Sequence, residues 1–572
     1  MTVLRASISD GILAKADRLF RNDDAGVFIE LLQNSRRAGA DLVSIWIEPL
    51  EGEKHGSNVV FRDNGRGIED FQRLLTLGGS GWDADVQAAE DPAGMGFFSL
   101  CHSDVEVASG DRSVVLSREV FLGKAEANVQ TGRTVFVDGT RLIFTRPSTP
   151  VQLLGVLKHV TQFFPVQVRV NGEELPRHDF LEGSLHREWI DGVEVGFSTN
   201  FRWSPSYSDD NWNFHGLRIR KQLDDIPGLL EFDEHRGWHS KTIETRFNVV
   251  ETGRVKLQLP DRRAIVEDER FRDFATKVKA AGFRVLQSLG RHVLPFAAWA
   301  EAKRLGVELP EASQLLHTWH AAPLDSDLEP MFGRSEPKLL SETGTALLVS
   351  GEVENQHTLE AALQTVRIRE YQMYQESAQF EGYAWYDRLP RLMETVVLVD
   401  GDSIADWKAR GVLRPRAMEL KVFVEQADRP ETVYRLPISI HVEDEEGLAW
   451  DGGAVDLLAV ENSPWDNDKL KGPFDVVEFL IAATFCAGDD VECDSWETQK
   501  NEFQKDVERK VNEYFRGTRA ALLALLEDAL TWDVRNYAKE IGVQEIRFRK
   551  PAPDTYGWHV ELVTDDPLPQ AA

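Results

Sequence analysis

Cysteine is nearly missing from this chain. Three occur in 572 residues (Cys101, Cys486 and Cys493), too few for a disulfide framework, and the spacing of the last two matches no zinc pattern. Long apolar runs are missing as well: none is long enough to span a bilayer, and no low-complexity tract or internal repeat interrupts the chain. The opening MTVLRASISDGILAKADRLF lacks the continuous apolar core and small-residue cleavage site of a signal peptide. A cytoplasmic chain with no membrane part is the expectation. Basic residues are also scarce, 65 against 95 acids, for a formal charge of −30 and a pI near 4.9. Such a surface repels phosphate backbones at long range, which disfavours a large nucleic-acid footprint. A local basic groove, for example around LRIRK at 217–221, stays compatible with it.

What is present is a folded chain, 42% hydrophobic and 28% charged, long enough for three or four domains. Residues 1–175 interleave helical and strand patterns, with most strands in hairpins. The pattern predicts an α/β sandwich, a mixed sheet with helices on one face. Residues 176–295 read as α+β, 296–415 as mainly helical, and 416–572 as α+β again, with two helical stretches before a closing hairpin. The fold class is therefore α+β multidomain. In the first part, 23–38 carries a helical period and LVSIWI (42–47) and NVVFRD (58–63) are strands. VEVAS, SVVLSRE, TVFVD and TRLIFT read as further strands, followed by a helix over 153–164.

Three short motifs in this part carry chemistry. Glu30 and Asn34 stand four apart, so they share a helix face away from Val27 and Leu31. Such a pair is either an ordinary solvated face or a carboxylate that positions water beside an amide oxygen for magnesium, which needs few protein oxygens. In FRDNGRGIED (61–70), Asp63 ends a strand where it can accept a hydrogen bond from an exocyclic amine. Gly65 and Gly67 permit a tight turn and a close flat ring, and Ile68 would pack on that ring. An ordinary Asp-Asn-Gly turn is the competing explanation. In DPAGMGFFS (91–99), Gly94 and Gly96, with Met95 between them, stand just before a helix that opens at Phe97 and whose N-terminal amides suit phosphate, after an irregular segment with the character of a lid (78–93); all four are candidate binding residues. Finally, DGTRLIF (138–144) sets Thr140 at the head of a strand, within hydroxyl reach of the same acid.

Together, in this order and within 140 residues, E-x-x-x-N, D-N-G-x-G-I, G-x-G-F-x-S and G-T resemble the GHKL superfamily, whose ATP site is the Bergerat fold. The likeness spans roughly residues 10–175. IELLQNSRRAGADLVSIWI and GMGFFS are similar to the heat-shock chaperone and MutL versions. The resemblance implies ATP and magnesium as cofactors, Glu30 as general base or water-orienting carboxylate, Asn34 as the magnesium ligand and Asp63 as the adenine anchor. It further implies Gly67 against the ring, phosphate binding by Gly94 and Gly96, and Thr140 in support of the adenine pocket. Residues 176–295 are similar to the family's transducer module, where Arg262 or Arg263 in LPDRRAIVEDERF is the candidate for reaching the γ-phosphate. The alternative is that these arginines pair with Glu267 and Asp268 on a surface turn. Two departures stand out: Arg37 where relatives usually carry Asp, and Asp91 where the chaperone lid has its first glycine.

The first functional expectation is an ATP-hydrolysing conformational switch of the chaperone or MORC-like kind, driven by lid closure and acting on protein partners, with a homodimer in view. The second is a nucleic-acid-associated clamp resembling MutL or the topoisomerase VI B subunit. The third is a sensor that binds ATP without cycling.

Overall fold

The computed structural model describes residues 23–50, 56–76, 82, 96–132, 136–199, 210–221, 223, 225–235, 237–251, 255–258, 264–321, 336–340, 346–351, 353–365, 371–411, 415–427, 429–438, 440–442, 457–459, 477, 481, 494–550 and 557–564. It divides into two compact units, Met1–Glu231 with His239–Ala312, and Phe232–Trp238 with Ser313–Ala572. Each is mixed α+β.

Helix α1 (Asp24–Arg37) starts where Asp23 accepts the Gly26 N–H at 2.6 Å, and it ends with Arg36 and Arg37 in its last turn. Acid at the start and base at the end complement the helix dipole. Its apolar face (Val27, Phe28, Leu31, Leu32) is fully buried against a seven-stranded sheet. The strands are β1 (Leu42–Pro49), β2 (Ser57–Asp63), β3 (Val105–Gly110), β4 (Arg112–Leu116), β5 (Val137–Arg146), β6 (Gln167–Val170) and β7 (Glu173–Glu174), in the order β4-β3-β5-β2-β1-β6-β7. Only the β1–β6 pairing is parallel, so the sheet is mixed. Val43, Ile45 and Ile47 of β1 are buried while Trp46 between them is 41% exposed. That alternation places the helices on one face and solvent on the other. Helix α2 (Pro150–Thr161), started by a reciprocal Thr149–Gln152 capping box, joins the same core through Leu153 and Leu157.

Three local expectations change. Within TVFVD and TRLIFT, Val137 and Asp138 continue into TRLIFT as one strand rather than two: β5 runs through Gly139 without a turn. The SVVLSRE strand stops at Leu116, and Arg118–Phe121 is a short helix. The helix expected to begin at FFS is a five-residue 3-10 helix, Gly96–Leu100.

The remainder of the first unit is a second sheet. Its strands are β8 (His186–Ile190), β9 (Val193–Ser198), β10 (Trp212–Phe214), β11 (Leu217–Ile219), β12 (Ile226–Asp233) and β13 (Gly237–Val249), covered by α3 (Glu269–Leu289). Trp212 stacks on Phe247 with centroids 3.9 Å apart, and Phe271 and Phe274 of α3 close over them. The stretch expected to be mainly helical (296–415), which lies in the second unit from Ser313 onward, carries Leu315–His317, Ala346–Val349, Gln372–Gln375 and Arg391–Val399 as strands. Three of these pair in one sheet with Met418–Gln426 and Arg429–Ile438. Ala346–Val349 is buried on both faces, so it has no alternation to reveal it. No helix among the described residues is long and apolar enough to cross a membrane.

One buried ion pair fastens α1 to the sheet. Arg146, 4% exposed, donates to Asp24 at 2.6 Å, and Ser148 also donates to that carboxylate. Removing one member of a buried pair strands the other charge. Arg146→Met should therefore cost about 3 kcal/mol, with Asp24→Asn in the same chain recovering part of it. Hydrogen exchange of β5 peptides measures this; unchanged protection in the single variant would show the pair to be inconsequential.

Candidate functional site

The C-terminal half of α1, the end of β2 and the start of β5 meet at Asp63. Its carboxylate is 5% exposed. Oδ1 accepts the Gly65 N–H at 2.9 Å, Oδ2 accepts the Ser35 hydroxyl at 3.4 Å, and the Thr140 N–H also donates to it. Burial raises its pKa above the ordinary 3.8, while these donors and Arg62 pull the other way. Asp63 and Thr140 are direct partners in the β2–β5 ladder. Thr140 thus reaches the acid through its amide, where its hydroxyl was the expectation.

The glycines are held by packing. Gly139 has φ +75°, and a Cβ there would run into the Asp63 carbonyl. This is why the G-T pair must start with glycine. At Gly65 a Cβ would sit 2.7 Å from the Ala38 Cβ, and at Gly67, with φ +77°, 2.5 Å from the Ser109 Oγ. The space beside both is filled by protein, so the turn's own closure accounts for them. Asn64 belongs to the same closure: its Oδ1 accepts the N–H groups of Asp41 and Leu42 at 3.1 and 3.0 Å.

Glu30 lies one turn before Asn34 on α1 and is half-buried. Its carboxylate lies directly against Gly96, where any Cβ would collide with Oε2. The structure therefore brings together the expected water-orienting acid and the second glycine of GMG. Phe97 follows, partly buried against the core and 5.9 Å from the Phe121 ring. Because the helix there has only five residues and a carboxylate beside its first one, the phosphate cradle expected from a long helix dipole is not supplied at Gly96. Gly94, Met95, Asp91 and the lid segment 78–93 (Trp82 aside) lie outside the described residues, as do Arg262 and Arg263. The acids once considered for those arginines have other partners: Glu267 pairs with Lys221, and Asp268 caps α3 through the Phe271 N–H.

For the magnesium implied by the resemblance, the donor is the Asn34 Oδ1. That oxygen accepts the Arg37 guanidinium at 3.4 Å. A fixed cation at this atom competes for its lone pairs and repels a divalent ion. As arranged, these residues do not fit a magnesium ligated by Asn34. Among the described residues, no group of three or more His, Cys, Asp or Glu is placed to hold a metal.

Sequence reasoning missed Ser109 and Arg112. The Ser109 hydroxyl accepts the Ile68 N–H and donates to the Gly139 carbonyl, both at 2.8 Å, joining the two motifs. Arg112 donates to the carbonyls of Ile68 and Glu69, each at 2.9 Å, with its guanidinium 5.3 Å from the Phe71 ring centre. Ile68 itself packs partly buried against the core. Neither Ser109 nor Arg112 belongs to a local pattern, so nothing in the sequence marks them. Gln33 was missed as well. It is buried, and its amide donates to the His215 carbonyl at 2.8 Å, linking α1 to the β10–β11 turn. A cavity of about 250 Å³ lies elsewhere, walled by Phe163, Phe164, Arg177, Asn213, His215 and Asn248; no sequence candidate lines it.

No protein-family model matches the chain, and no curated protein matches it. Among solved structures it is similar to the N-terminal domain of a DNA repair protein (13% identity, 50% of this chain and 99% of that one, TM-score 0.29). It is also similar to a topoisomerase IV ATP-binding domain from Francisella tularensis (10%, 52% and 95%, 0.30) and to the 43K ATPase domain of Thermus thermophilus gyrase B (14%, 49% and 88%, 0.24). At TM-scores this low, the likenesses carry no argument about chemistry, which rests on the chain's own residues.

Removing the Ser109 hydroxyl leaves a buried carbonyl and an amide without their partner. Ser109→Ala should therefore lower stability by about 1–3 kcal/mol, read from urea unfolding of the purified chain. An unshifted midpoint would mean that the two motifs hold together without it.

Proposed function

We propose that the chain binds ATP along the seam between α1, the β2 turn and β5, and hydrolyses it as a conformational switch acting on a protein partner. The observation that carries this reading is the juxtaposition of a buried acid at a strand end (Asp63) with a second acid (Glu30) seated on a glycine (Gly96). The first suits an exocyclic purine amine, which can donate to a desolvated carboxylate with no competition from water. The second suits a water that attacks the γ-phosphorus in line, with Glu30 taking its proton as ADP leaves.

The switch half of the reading is supported by the Gln33 contact, since any rotation of α1 on nucleotide binding pulls on the β10–β11 turn. The partner half is supported by exposed apolar side chains on the C-terminal helices, Leu522, Leu523, Leu525, Trp532 and Tyr537, which a lone chain leaves in water.

Glu30→Gln should lower turnover by about a hundredfold or more while changing ATP affinity little; phosphate release and calorimetry on the same sample separate the two. Turnover equal to wild type would remove Glu30 from the chemistry. Asp63→Asn should weaken ATP binding about tenfold or more, and unaltered affinity would contradict the adenine assignment.

The acid also sets a pH dependence. Protonation turns an accepting oxygen of Asp63 into a donor, so ATP affinity should fall as the pH drops through its raised pKa and stay flat in Asp63→Asn. Stability runs the opposite way. The native state holds this proton more tightly, so the group's contribution is full below the ordinary value of 3.8 and is lost as pH rises through the raised one. A wild-type affinity profile without that acid limb would count against the assignment.

A further inference from the structure

We propose that the Arg37 guanidinium takes the place of a divalent cation beside Asn34, so that the site binds the triphosphate of its nucleotide without magnesium. This rests on the reading of the seam as an ATP site.

Three observations carry it. Arg37 lies three residues beyond Asn34 on α1, hence on the same face, and its Nη1 donates to the Asn34 Oδ1 at 3.4 Å. The amide oxygen expected to ligate magnesium is thus already engaged by a permanent cation. Second, the position favours a cation that stays. Arg36 and Arg37 occupy the last turn of α1, where the helix dipole stabilises positive charge. Arg66 is bound to the same helix end through its N–H to the Ala38 carbonyl at 2.9 Å. Two arginines thus close the helix, with the backbone of a third bound to its end and that third guanidinium 5.1 Å from the Trp82 ring centre, in a molecule whose formal charge is −30. A polyphosphate meets attraction there and repulsion from the bulk of the surface. Third, the chemistry of exchange is favourable. A guanidinium offers a planar fork that pairs two phosphate oxygens at once, is never deprotonated, and is weakly hydrated. Magnesium demands near-octahedral oxygens and gives up water reluctantly. One amide oxygen shared with an arginine is a poor inducement.

Arg37 here is a binding residue whose charge replaces the metal's. The competing explanation is that Arg37 only caps the helix and pairs with Asn34 in the absence of phosphate, and gives way when magnesium arrives with the nucleotide.

The test is calorimetry of the full chain with a non-hydrolysable ATP analogue, in excess magnesium chloride and in EDTA, for wild type, Arg37→Ala and Arg37→Lys. Thermal unfolding of each variant checks that it is folded. For wild type, the two dissociation constants should agree within about threefold. Arg37→Ala frees the Asn34 oxygen, so its binding in EDTA should weaken by about tenfold or more and recover in magnesium, a metal dependence that wild type lacks. Arg37→Lys, which keeps the charge and loses the fork, should fall between them. Wild-type binding that needs magnesium, with Arg37→Ala indistinguishable in both buffers, overturns the proposal and leaves the ATP site standing. Absence of wild-type binding in either buffer overturns the ATP site and this proposal with it.

Discussion

The constraint on which the first unit's candidate site depends is a carboxylate kept from water where the end of β2 pairs with the start of β5. Asp63 is buried and raised in pKa, so its surroundings must supply donors at close range. They do so from three directions: the Gly65 amide from its own turn, the Thr140 amide from the neighbouring strand, and the Ser35 hydroxyl from α1. Bringing those elements so near leaves no room for side chains at the contact points. That is the physical origin of Gly65 and Gly139, and with Ser109 it accounts for Gly67. The glycines and the acid are therefore one device. Moving any member loosens the others.

Charge around this device is arranged against the trend of the whole chain. The molecule is strongly acidic, yet the end of α1 gathers Arg36, Arg37 and the neighbouring Arg66. Glu30 sits two turns back toward the middle of the same helix. On the proposed reading, a carboxylate beside an attacking water with cations nearer the helix end would supply the polarity that displacement at a phosphorus requires: base on one side of the reacting group, positive charge where negative charge develops. Arg37 at Asn34 Oδ1 would sharpen this if, as proposed, it stands in for an exchangeable cation with one that folding itself installs.

The placement of the candidate residues was legible because it is local: Glu30 and Asn34 lie on α1, and Asp63 closes β2. Glu30 and Asn34 follow from helical spacing, and Asp63 follows from a strand that ends in a turn. What joins them was not legible. Ser109 lies 41 residues from Ile68 and Arg112 lies 43 from Glu69, and single hydroxyls and arginines at such separations have no pattern. Gly139 misled in the other direction. A glycine between two apolar runs reads as a turn, but here it is a close approach inside one continuous strand. The stretch 296–415 differed for a related reason: Ala346–Val349, four residues buried on both faces, carries no period, and it pairs with strands distant in sequence.

The Gln33 contact extends the argument from binding to motion. Gln33 sits between Ile29 and Arg37 in spacing and immediately before Asn34, so it cannot move independently of Asn34. Its amide is committed to a carbonyl of the second sheet, and its own oxygen accepts from Arg36 at 3.3 Å. Breaking that bond would strand a buried carbonyl, so displacement of α1 is transmitted to the β10–β11 turn in preference to being absorbed at the joint. Asn213 reinforces the turn by donating to the Asn248 side chain at 2.8 Å, which ties it to β13. A phosphate drawn toward Arg37 would therefore load, through one helical turn and two hydrogen bonds, the strand that organises the whole second sheet.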